Sequence, residues 1–382
     1  MYSSSPRYHR RPATPRIGKA LLLRQFASDF VLEHGHPIPV PGPYEVRIKT
    51  VAVGLNPVDW QAKDYNFGIS SLPWVSGRDV AGVIDKVGEF VTNLSSGDAV
   101  FTLTDYTSAR CGAFQDYCIA HHASVALIPP SLTFEEAASI PVGAITAGVA
   151  LKRHIGLSAQ NHHASQKESV DWVLVWGGAT CTGYYAVQLA RLYGYKVISV
   201  AGKYNLDYVR EAGANVVLDR EMSDTELLDA IQQATSGQLS YAFDAVGPVT
   251  AGLCLQAMNT GKSNGKKTLV ALAGIPKHAK TAAQSGQPVE LSKGIFVNMP
   301  EIKVKVFHND PEFGQEILQE LTTYLTNGKL QVPRIMIMDG GLEDVNKGLS
   351  LLKRGLISGS KLVIRVDKTT DAQGDLHYHG WL

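Results

Sequence analysis

The chain has 382 residues, with 36 Lys plus Arg against 35 Asp plus Glu. This length supports two domains, each with its own core, and the balanced charge gives no reason to expect a nucleic acid or another polyanionic partner. No apolar run approaches the roughly 18 residues needed to span a bilayer, so no membrane partner is expected, and four cysteines favour a reducing compartment, the cytoplasm, over a disulfide framework.

Residues 1–17 are predicted to be a disordered leader. The first sixteen hold four arginines, three serines and no acidic residue, which also faintly resembles a transit peptide. From residue 18 to 145 short alternating segments, separated by turn clusters, predict a compact β-rich domain. These segments are 20–23, 46–53, 80–87, 99–103 and 114–119.

Two helices are predicted at 133–140 and 144–152, and Pro141 is expected to stop the first of them. They lead into residues 146–329, where the sequence pattern changes. In this region predicted strands alternate with predicted helices, as in a doubly wound parallel α/β sheet of the Rossmann type. The strands are 171–176, 196–201, 215–218, 239–246, 268–273 and 302–307. The helices are 184–193, 206–212, 227–235, 250–258 and 312–325.

The remaining segments are connections or a return to the first domain. Residues 161–169 are interpreted as a surface insertion and 276–294 as a long loop. A strand at 334–338, a helix at 342–353 and a strand at 361–366 are expected to join residues 18–145, which assigns 330–366 to the β-rich domain. Residues 367–382 are interpreted as a tail.

The turn between the first strand and helix of the parallel sheet reads GGATCTG, residues 177–183. Glycines let the backbone approach a pyrophosphate, and a helix N-terminus attracts its negative charge. Counting from Gly178, the spacing gives Gly178, Thr180 and Gly183, so the middle glycine of the usual fingerprint is missing and a plain connecting turn stays an alternative. The predicted cofactor contacts here are Gly177, Gly178, Ala179, Thr180, Thr182 and Gly183.

The second strand of this sheet favours NADPH over NADH. It ends in Ala201, Gly202, Lys203 and Tyr204, where an NAD site normally presents Asp or Glu to the ribose. A small residue followed by Lys203 would instead accept a 2′-phosphate. Arg220, beyond the third strand, is a candidate second cation or a lid on the adenine. Solvated surface charges are the alternative for both cations.

Several motifs resemble the medium-chain dehydrogenase/reductase superfamily. NPVDW at 56–60, GRDVAG at 77–82 and GDAV at 97–100 resemble its GroES-like domain. GGATCTG, GGLE at 340–343 and SGSKL at 358–362 resemble its zinc-free enoyl reductase and quinone oxidoreductase-like branch. Within that branch the chain resembles fungal trans-acting enoyl reductases of polyketide biosynthesis. The resemblance implies a Rossmann domain beside a GroES-like domain, and a small or carrier-bound unsaturated substrate. A polyketide synthase is the candidate protein partner that it suggests.

The same resemblance bears on metal binding. Zinc-dependent members have Cys where this chain has Asn56 and His where it has Arg78, and their four-cysteine lobe is absent. Another cluster of potential ligands is Cys111, Cys118, His121 and His122, but strand alternation would send these side chains to opposite faces. We therefore expect no metal, and reduction of an activated C=C bond fits better than alcohol oxidation.

The resemblance implies hydride transfer from NADPH to the β-carbon of an enoyl group. Thr146 stands where the branch has a Thr on the helix entering the cofactor domain, and a hydrogen bond to a carbonyl one turn back is its alternative role. The expected Lys of the N-P-x-D-x-K segment is Gln61, which donates a hydrogen bond but transfers no proton at ordinary pH. Lys63, Tyr65 or water is then the proton donor, with packing as the alternative role of Tyr65.

Further cofactor contacts are expected at the carboxyl ends of later strands. The predicted residues are Val246, Leu272 and Gly274, with Ser360 closing over the cofactor. Three other functions stay open: a quinone or general enone reductase, an NADPH-binding docking or sensor protein, and a non-redox biosynthetic step.

Overall fold

The computed structural model describes residues 16–157, 171–259, 267–292, 294–301 and 304–369. Most of the predicted leader, the insertion at 161–169 and nearly all of the predicted tail therefore lie outside the described residues.

The first part of the chain forms the predicted β-rich domain. Its strands are β1 (Ile17–Leu23), β2 (Val31–Pro37), β3 (Glu45–Gly54), β4 (Trp74–Val75), β5 (Asp79–Val87), β6 (Ala99–Leu103), β7 (Tyr117–His121) and β8 (Val125–Leu127). A three-stranded sheet has the order β2-β1-β4. Two late strands, at Ile335–Met338 and Lys361–Arg365, join a second sheet through the antiparallel pairing of Lys361–Arg365 with β3. The C-terminal segment thus returns to the first domain, as its pattern predicts.

The middle of the chain forms the predicted Rossmann sheet. Its strands are β9 (Trp172–Trp176), β10 (Lys196–Ala201), β11 (Val216–Asp219), β12 (Leu239–Asp244), β13 (Lys267–Ala271), β14 (Val289–Ser292) and β15 (Ile295–Asn298). Their order is β11-β10-β9-β12-β13-β15-β14, and all neighbours are parallel except β14 and β15. The strand order reverses between β9 and β12, and a crevice opens at the carboxyl ends of strands at such a point. The two late strands described above, which belong to the sheet that contains β3, are labelled β16 (Ile335–Met338) and β17 (Lys361–Arg365).

Helices connect and cover the strands. They are α1 (Pro57–Tyr65), α2 (Phe134–Ala137), α3 (Pro141–Gly148), α4 (Cys181–Leu192), α5 (Leu206–Glu211), α6 (Asp224–Thr235), α7 (Pro248–Met258), α8 (Lys280–Gln284), α9 (Val306–Asn309), α10 (Pro311–Thr326) and α11 (Val345–Lys353). A π-helix, Val149–Ile155, continues α3. Short 3₁₀ turns lie at Ala109–Cys111, His122–Ser124, Lys203–Asn205, Lys277–Ala279, Gly341–Asp344 and Val366–Lys368.

Two helix starts differ from the predictions because proline suits the first turn of a helix. Pro141 begins α3 instead of only ending the helix before it, since its missing N–H is not needed there. Pro57 likewise begins α1, which the sequence analysis did not predict, and the Asp59 side chain accepts a 2.9 Å hydrogen bond from the backbone N–H of Asn56. α1 matters because it carries Gln61 towards the centre of the protein.

The predicted sixth strand at 302–307 is wrong for residues 304–307, and residues 302 and 303 lie outside the described residues. The sixth parallel strand is β15, and Val306–Asn309 forms α9 instead. Phe307 is buried against α10, where a Cβ on Gly314 would lie 2.3 Å from the Phe307 carbonyl oxygen. Tertiary packing therefore overrides the alternating pattern that favoured a strand. The predicted loop at 276–294 is also wrong in part, because it contains α8 and β14.

One helical stretch, Phe134–Ile155, is long and apolar enough by composition to cross a membrane. However, 78% of its most apolar window is buried inside the protein. Ala144, Ile145 and Ala147 belong to a core shared with α4 and the Rossmann sheet. The apolar character of this stretch is therefore that of a core helix.

Candidate cofactor and substrate cleft

A cleft of about 1460 Å³ runs between the Rossmann sheet and the β-rich domain. Many of the predicted site residues line it: Gln61, Thr146, Gly177, Ala179, Thr180, Thr182, Gly202, Arg220, Val246, Leu272 and Ser360. Other predicted residues do not contribute to its wall: Lys63, Tyr65, Gly178, Gly183, Lys203, Tyr204 and Gly274. The structure thus brings the predicted cofactor turn and the predicted catalytic segment to one cavity.

The turn after β9 has the geometry of a phosphate-binding loop. Gly177 has a left-handed φ of 86°, and Thr180 caps α4 by accepting a 3.0 Å hydrogen bond from the Gly183 backbone N–H. The Thr180 hydroxyl also donates a 2.8 Å hydrogen bond to the Gly177 carbonyl. Its proton is therefore used in the turn, which makes Thr180 a residue that shapes the loop and replaces the missing middle glycine with a cap.

Gly178 and Gly183 lie behind the loop and let it pack closely. A Cβ on Gly178 would lie 2.1 Å from the Ser199 hydroxyl oxygen, and one on Gly183 would lie 2.1 Å from the Gly177 carbonyl oxygen. Both positions exclude a side chain, as expected where a helix starts directly on a sheet. The loop can therefore hold a pyrophosphate at the N-terminus of α4.

At the end of β10, Gly202 and Arg220 form the wall of the cleft. A Cβ on Gly202 would lie 3.4 Å from Nε of Arg220, so the guanidinium packs beside this glycine. Lys203 is exposed at the start of the 3₁₀ turn Lys203–Asn205, and Tyr204 is 94% exposed. The cation that lines this end of the cleft is thus Arg220, while Lys203 lies at its rim.

The loop after α11 is tied to the same end of the Rossmann sheet. Asn205 donates a 3.0 Å hydrogen bond to the Ser358 hydroxyl, and a Cβ on Gly359 would lie 2.2 Å from the Asn205 side-chain oxygen. This contact holds Ser360 and Lys361 in the cleft wall.

Beyond the turn, the carboxyl ends of β12 and β13 contribute apolar walls. Val246, which is half exposed, and Leu272 line the cleft, whereas Gly274 follows the lining residue Ala273. Asp244 is fully buried below them and accepts a 3.0 Å hydrogen bond from the Gly247 backbone N–H. Burial raises the pKa of Asp244 to about 6, and its other oxygen has no hydrogen-bond partner among the described residues. Asp244 therefore has a structural role below the floor of the cleft.

The predicted catalytic residues separate into two groups. Gln61 on α1 and Thr146 on α3 both line the cleft, and Thr146 is buried. Lys63 instead forms an ion pair of 2.8 Å with Asp64, and Tyr65 is 69% exposed and packs edge-on against Trp60. Lys63 lies outside the cleft because residues two apart on a helix point in different directions, whereas Tyr65, the last residue of α1, lies outside it because its ring packs against Trp60.

A buried ionic network lies beside Gln61. The Lys361 ammonium donates 2.6 Å hydrogen bonds to the Asn56 side-chain oxygen and to the Asp79 carboxylate. Asp79 also accepts from the Asn56 amide at 2.9 Å and from the Val142 backbone N–H at 2.6 Å. Burial alone would lower the pKa of Lys361, but the Asp79 carboxylate raises it above its ordinary value. The cleft therefore has a fixed ion pair in its wall.

A second pair supports the first. Arg78 donates a 3.0 Å hydrogen bond to Asp59, whose carboxylate is fully buried. Burial raises the pKa of Asp59, although the Arg78 guanidinium opposes this shift. The network was missed by sequence reasoning because its members come from α1, β5 and β17, and no local motif joins them.

The alternative metal cluster does not assemble. Cys111 and Cys118 are buried thiols, and burial raises the pKa of each to about 12. The rings of His121 and His122 stack on each other at 4.9 Å. Among the described residues no group of three or more His, Cys, Asp or Glu side chains is arranged to hold a metal ion.

Comparisons with known proteins agree with this architecture. Residues 42–130 match the alcohol dehydrogenase GroES-like domain family, and residues 181–300 match the zinc-binding dehydrogenase family. A trans-enoyl reductase of Aspergillus niger is 30% identical over 93% of this chain and 99% of its own length. A trans-enoyl reductase of Penicillium crustosum is 31% identical over 93% and 99%. The chain belongs to the medium-chain dehydrogenase/reductase superfamily. It is an oxidoreductase of the enoyl reductase-like type.

Solved structures of this superfamily share the fold. A quinone oxidoreductase of Pseudomonas syringae superposes with a TM-score of 0.73 at 21% identity, covering 91% of this chain and 100% of its own. The CurK enoyl reductase gives 0.72 at 19% identity, covering 91% and 98%. A superfamily member with this loop geometry is expected to hold a dinucleotide cofactor.

Proposed function

We propose that this oxidoreductase uses NADPH, without zinc, to reduce an activated C=C bond in an enoyl thioester or enone. The observation that carries the proposal is the single cleft that joins the glycine turn after β9 to Gln61 and Thr146. The fungal relatives named trans-enoyl reductases support the same reaction class.

The preference for NADPH rests on the end of β10. Gly202 stands where an NAD-dependent site presents a carboxylate, and Arg220 and Lys203 supply positive charge beside it. A guanidinium is well suited to bind phosphate, because its planar fork of donors matches the oxygens. At this end Asp224 also lines the cleft, but it lies on α6 and not at the end of β10. A protein of known structure with the same fold was crystallised with NADPH.

Zinc independence rests on the donor set. The position that carries Cys in zinc-dependent members is Asn56, whose side-chain oxygen is already bonded to Lys361. The position that carries His is Arg78, which is paired with Asp59. An amide and a guanidinium are poor zinc ligands compared with thiolate and imidazole.

When bound, NADPH supplies the hydride, and the protein orients the substrate and stabilises the negative charge that develops on its oxygen. The Thr146 hydroxyl and the Gln61 amide are the donors we assign to that oxygen. Gln61 cannot transfer a proton, and Lys63 and Tyr65 lie outside the cleft. Among the donors considered from the sequence, water is the one that remains, and we assign to it the proton that reaches the α-carbon.

The proposal extends to the partner and the compartment. One relative is named the enoyl reductase component of the lovastatin nonaketide synthase of Aspergillus terreus, and it is 29% identical over 87% of this chain. By analogy, we propose that the substrate is bound to a carrier domain of a polyketide synthase. The four free thiols agree with a reducing, cytoplasmic location.

Absorbance measurements of NADPH oxidation against α,β-unsaturated thioesters, enones and quinones, with NADH in parallel, test this proposal. The expected result is rapid oxidation of NADPH, but not of NADH, with an enoyl thioester. Preference for quinones would favour a quinone reductase. Tight NADPH binding with no oxidation on any acceptor would overturn the proposal and favour a binding or non-redox role, with Gln61 as the residue that explains it.

A further inference from the structure

One aromatic side chain in the wall of the cleft, Tyr106, follows β6. Leu103 and Phe67 line the cleft as well, as do Gln61 and Thr146. If the reactive end of an acyl chain lies between Gln61 and Thr146, these three apolar and aromatic side chains are available to contact the rest of the chain.

Tyr106 is held from both sides of the cleft. The Arg78 guanidinium and the Lys305 ammonium each lie 5.0 Å from the centre of its ring. Arg78 belongs to the β-rich domain and is fixed by the buried Asp59, whereas Lys305 precedes α9 of the Rossmann domain. Cations at this distance attract the ring electrostatically by a modest amount, so both contacts favour the position in which the ring separates the two cavities.

A second, much smaller cavity lies on the other side of this wall. Tyr106 and Arg78 line both cavities, and the small one encloses only about 10 Å³. Its remaining walls are mostly apolar, with Ala62, Trp74 and Val75 among them. A space of this size holds at most one water, so it is closed to substrate while the Tyr106 ring is in place.

We propose that Tyr106 sets the maximum length of the acyl chain that the cleft accepts, and that removing its ring joins the small cavity to the cleft. This inference rests on the proposed reduction of enoyl thioesters. It makes Tyr106 a specificity-determining residue, and it predicts that wild-type enzyme discriminates sharply at one chain length.

Tyr106 is a better test position than Arg78, because loss of Arg78 would leave the buried Asp59 carboxylate unpaired and destabilise the fold. Tyr106→Ala removes the wall, Tyr106→Trp enlarges it, and Tyr106→Phe keeps the ring. Tyr65→Ala is a matched control, since this tyrosine is exposed and lies outside the cleft.

The experiment measures kcat/KM for a series of linear enoyl pantetheine thioesters of increasing length. Tyr106→Ala should raise the ratio of long-chain to short-chain kcat/KM by about tenfold or more, because each accommodated methylene is worth a factor of this size. Tyr106→Trp should move the limit to shorter chains, while Tyr106→Phe and Tyr65→Ala keep the wild-type limit. An unchanged length profile in both the Ala and the Trp variants would overturn the proposal.

Calorimetric binding of saturated acyl pantetheine thioesters to the same variants distinguishes a failure of the proposed reaction from a failure of the role assigned to Tyr106. If no variant oxidises NADPH but Tyr106→Ala binds longer chains than wild type, the proposed reaction fails and the assignment of Tyr106 holds. If turnover is normal and neither binding nor kcat/KM changes its length dependence, the assignment of Tyr106 fails and the reaction holds.

Discussion

The cofactor end of the cleft is built from one contiguous run, whereas the substrate end is assembled from side chains far apart in the chain. Residues 177–183 form the turn proposed to hold the pyrophosphate mainly through backbone geometry, with glycines at positions where a Cβ would collide. Asn56, Asp79 and Lys361 meet only after folding, and they interact through buried charge. The comparison teaches that close packing controls the first site and electrostatic pairing controls the second.

Two buried carboxylates, one at each end of the cleft, differ in whether their charge is compensated. Asp79 has an ammonium partner and two further hydrogen bonds, so its charge is compensated. Asp244, at the cofactor end, has no cationic partner among the described residues, and only backbone and hydroxyl donors lie near it. The two sites should therefore respond oppositely when their charges are removed.

The largest expected effect is that of Lys361→Met. It leaves the buried Asp79 carboxylate without its cation, so the free energy of unfolding should fall by about 3–5 kcal/mol. Urea denaturation at neutral pH measures the change. Arg24→Gln, which breaks an exposed pair with Glu33, should cost about 0–1 kcal/mol. Similar losses in the two variants would show that the buried network contributes no more to stability than an exposed ion pair does.

Gly183→Ala tests the packing of the phosphate loop. Because the new Cβ would lie 2.1 Å from the Gly177 carbonyl oxygen, the loop must shift, at a cost of about 1–3 kcal/mol in stability. Fluorescence titration should also show weaker cofactor binding. Gly247→Ala is the matched control, since nothing lies within 4 Å of its Cβ. Unimpaired cofactor binding in Gly183→Ala would contradict the close-packing account.

Asp244→Asn tests the uncompensated carboxylate. Burial raises the pKa of Asp244 to about 6, above the value of about 3.9 expected in the unfolded chain. The folded state thus keeps a proton that the unfolded state has released, and this group destabilises the wild type as the pH rises from about 4 to about 6. The stability of Asp244→Asn relative to wild type should therefore grow by about 1–3 kcal/mol over this range. Parallel pH–stability curves would refute the assignment.

The smallest expected effect is a change of cofactor preference. Arg220→Ala should weaken NADPH binding about tenfold and NADH binding much less, because only NADPH has the 2′-phosphate. Lys203→Ala should follow the same direction with a smaller change, since Lys203 lies at the rim of the cleft. Calorimetric titration with both cofactors measures this. Equal weakening of the two cofactors would show that the phosphate lies elsewhere.

How well each part of the structure can be predicted from sequence depends on how far apart its interacting residues lie in the chain. The Rossmann strands are periodic and local, so β10 was predicted with its observed ends. The strand predicted at 302–307 failed because the burial of Phe307 against α10 is a tertiary effect. The domain boundaries at 145 and 330 stay predictions.

In the candidate site, too, local features can be predicted from sequence and long-range ones cannot. The GGATCTG turn is recognisable because its glycines lie within seven residues, whereas Tyr106 carries no motif, and the SGSKL motif that contains Lys361 does not reveal its long-range pairing with Asp79. Lys63 and Tyr65 are candidates by nearness in sequence to Gln61, but helix geometry turns Lys63 away and Tyr65, at the end of α1, packs against Trp60. Short-range nearness is a poor guide to a shared site once the residues lie on a helix.

The destination of the hydride tests the central claim most directly. Wild-type enzyme is incubated with NADPH deuterated at the transferable position and an enoyl thioester, and the product is analysed by NMR and mass spectrometry. The account predicts a saturated thioester with deuterium at the β-carbon and a solvent-derived proton at the α-carbon. Deuterium at the carbonyl carbon, or no transfer to any unsaturated acceptor, would contradict it.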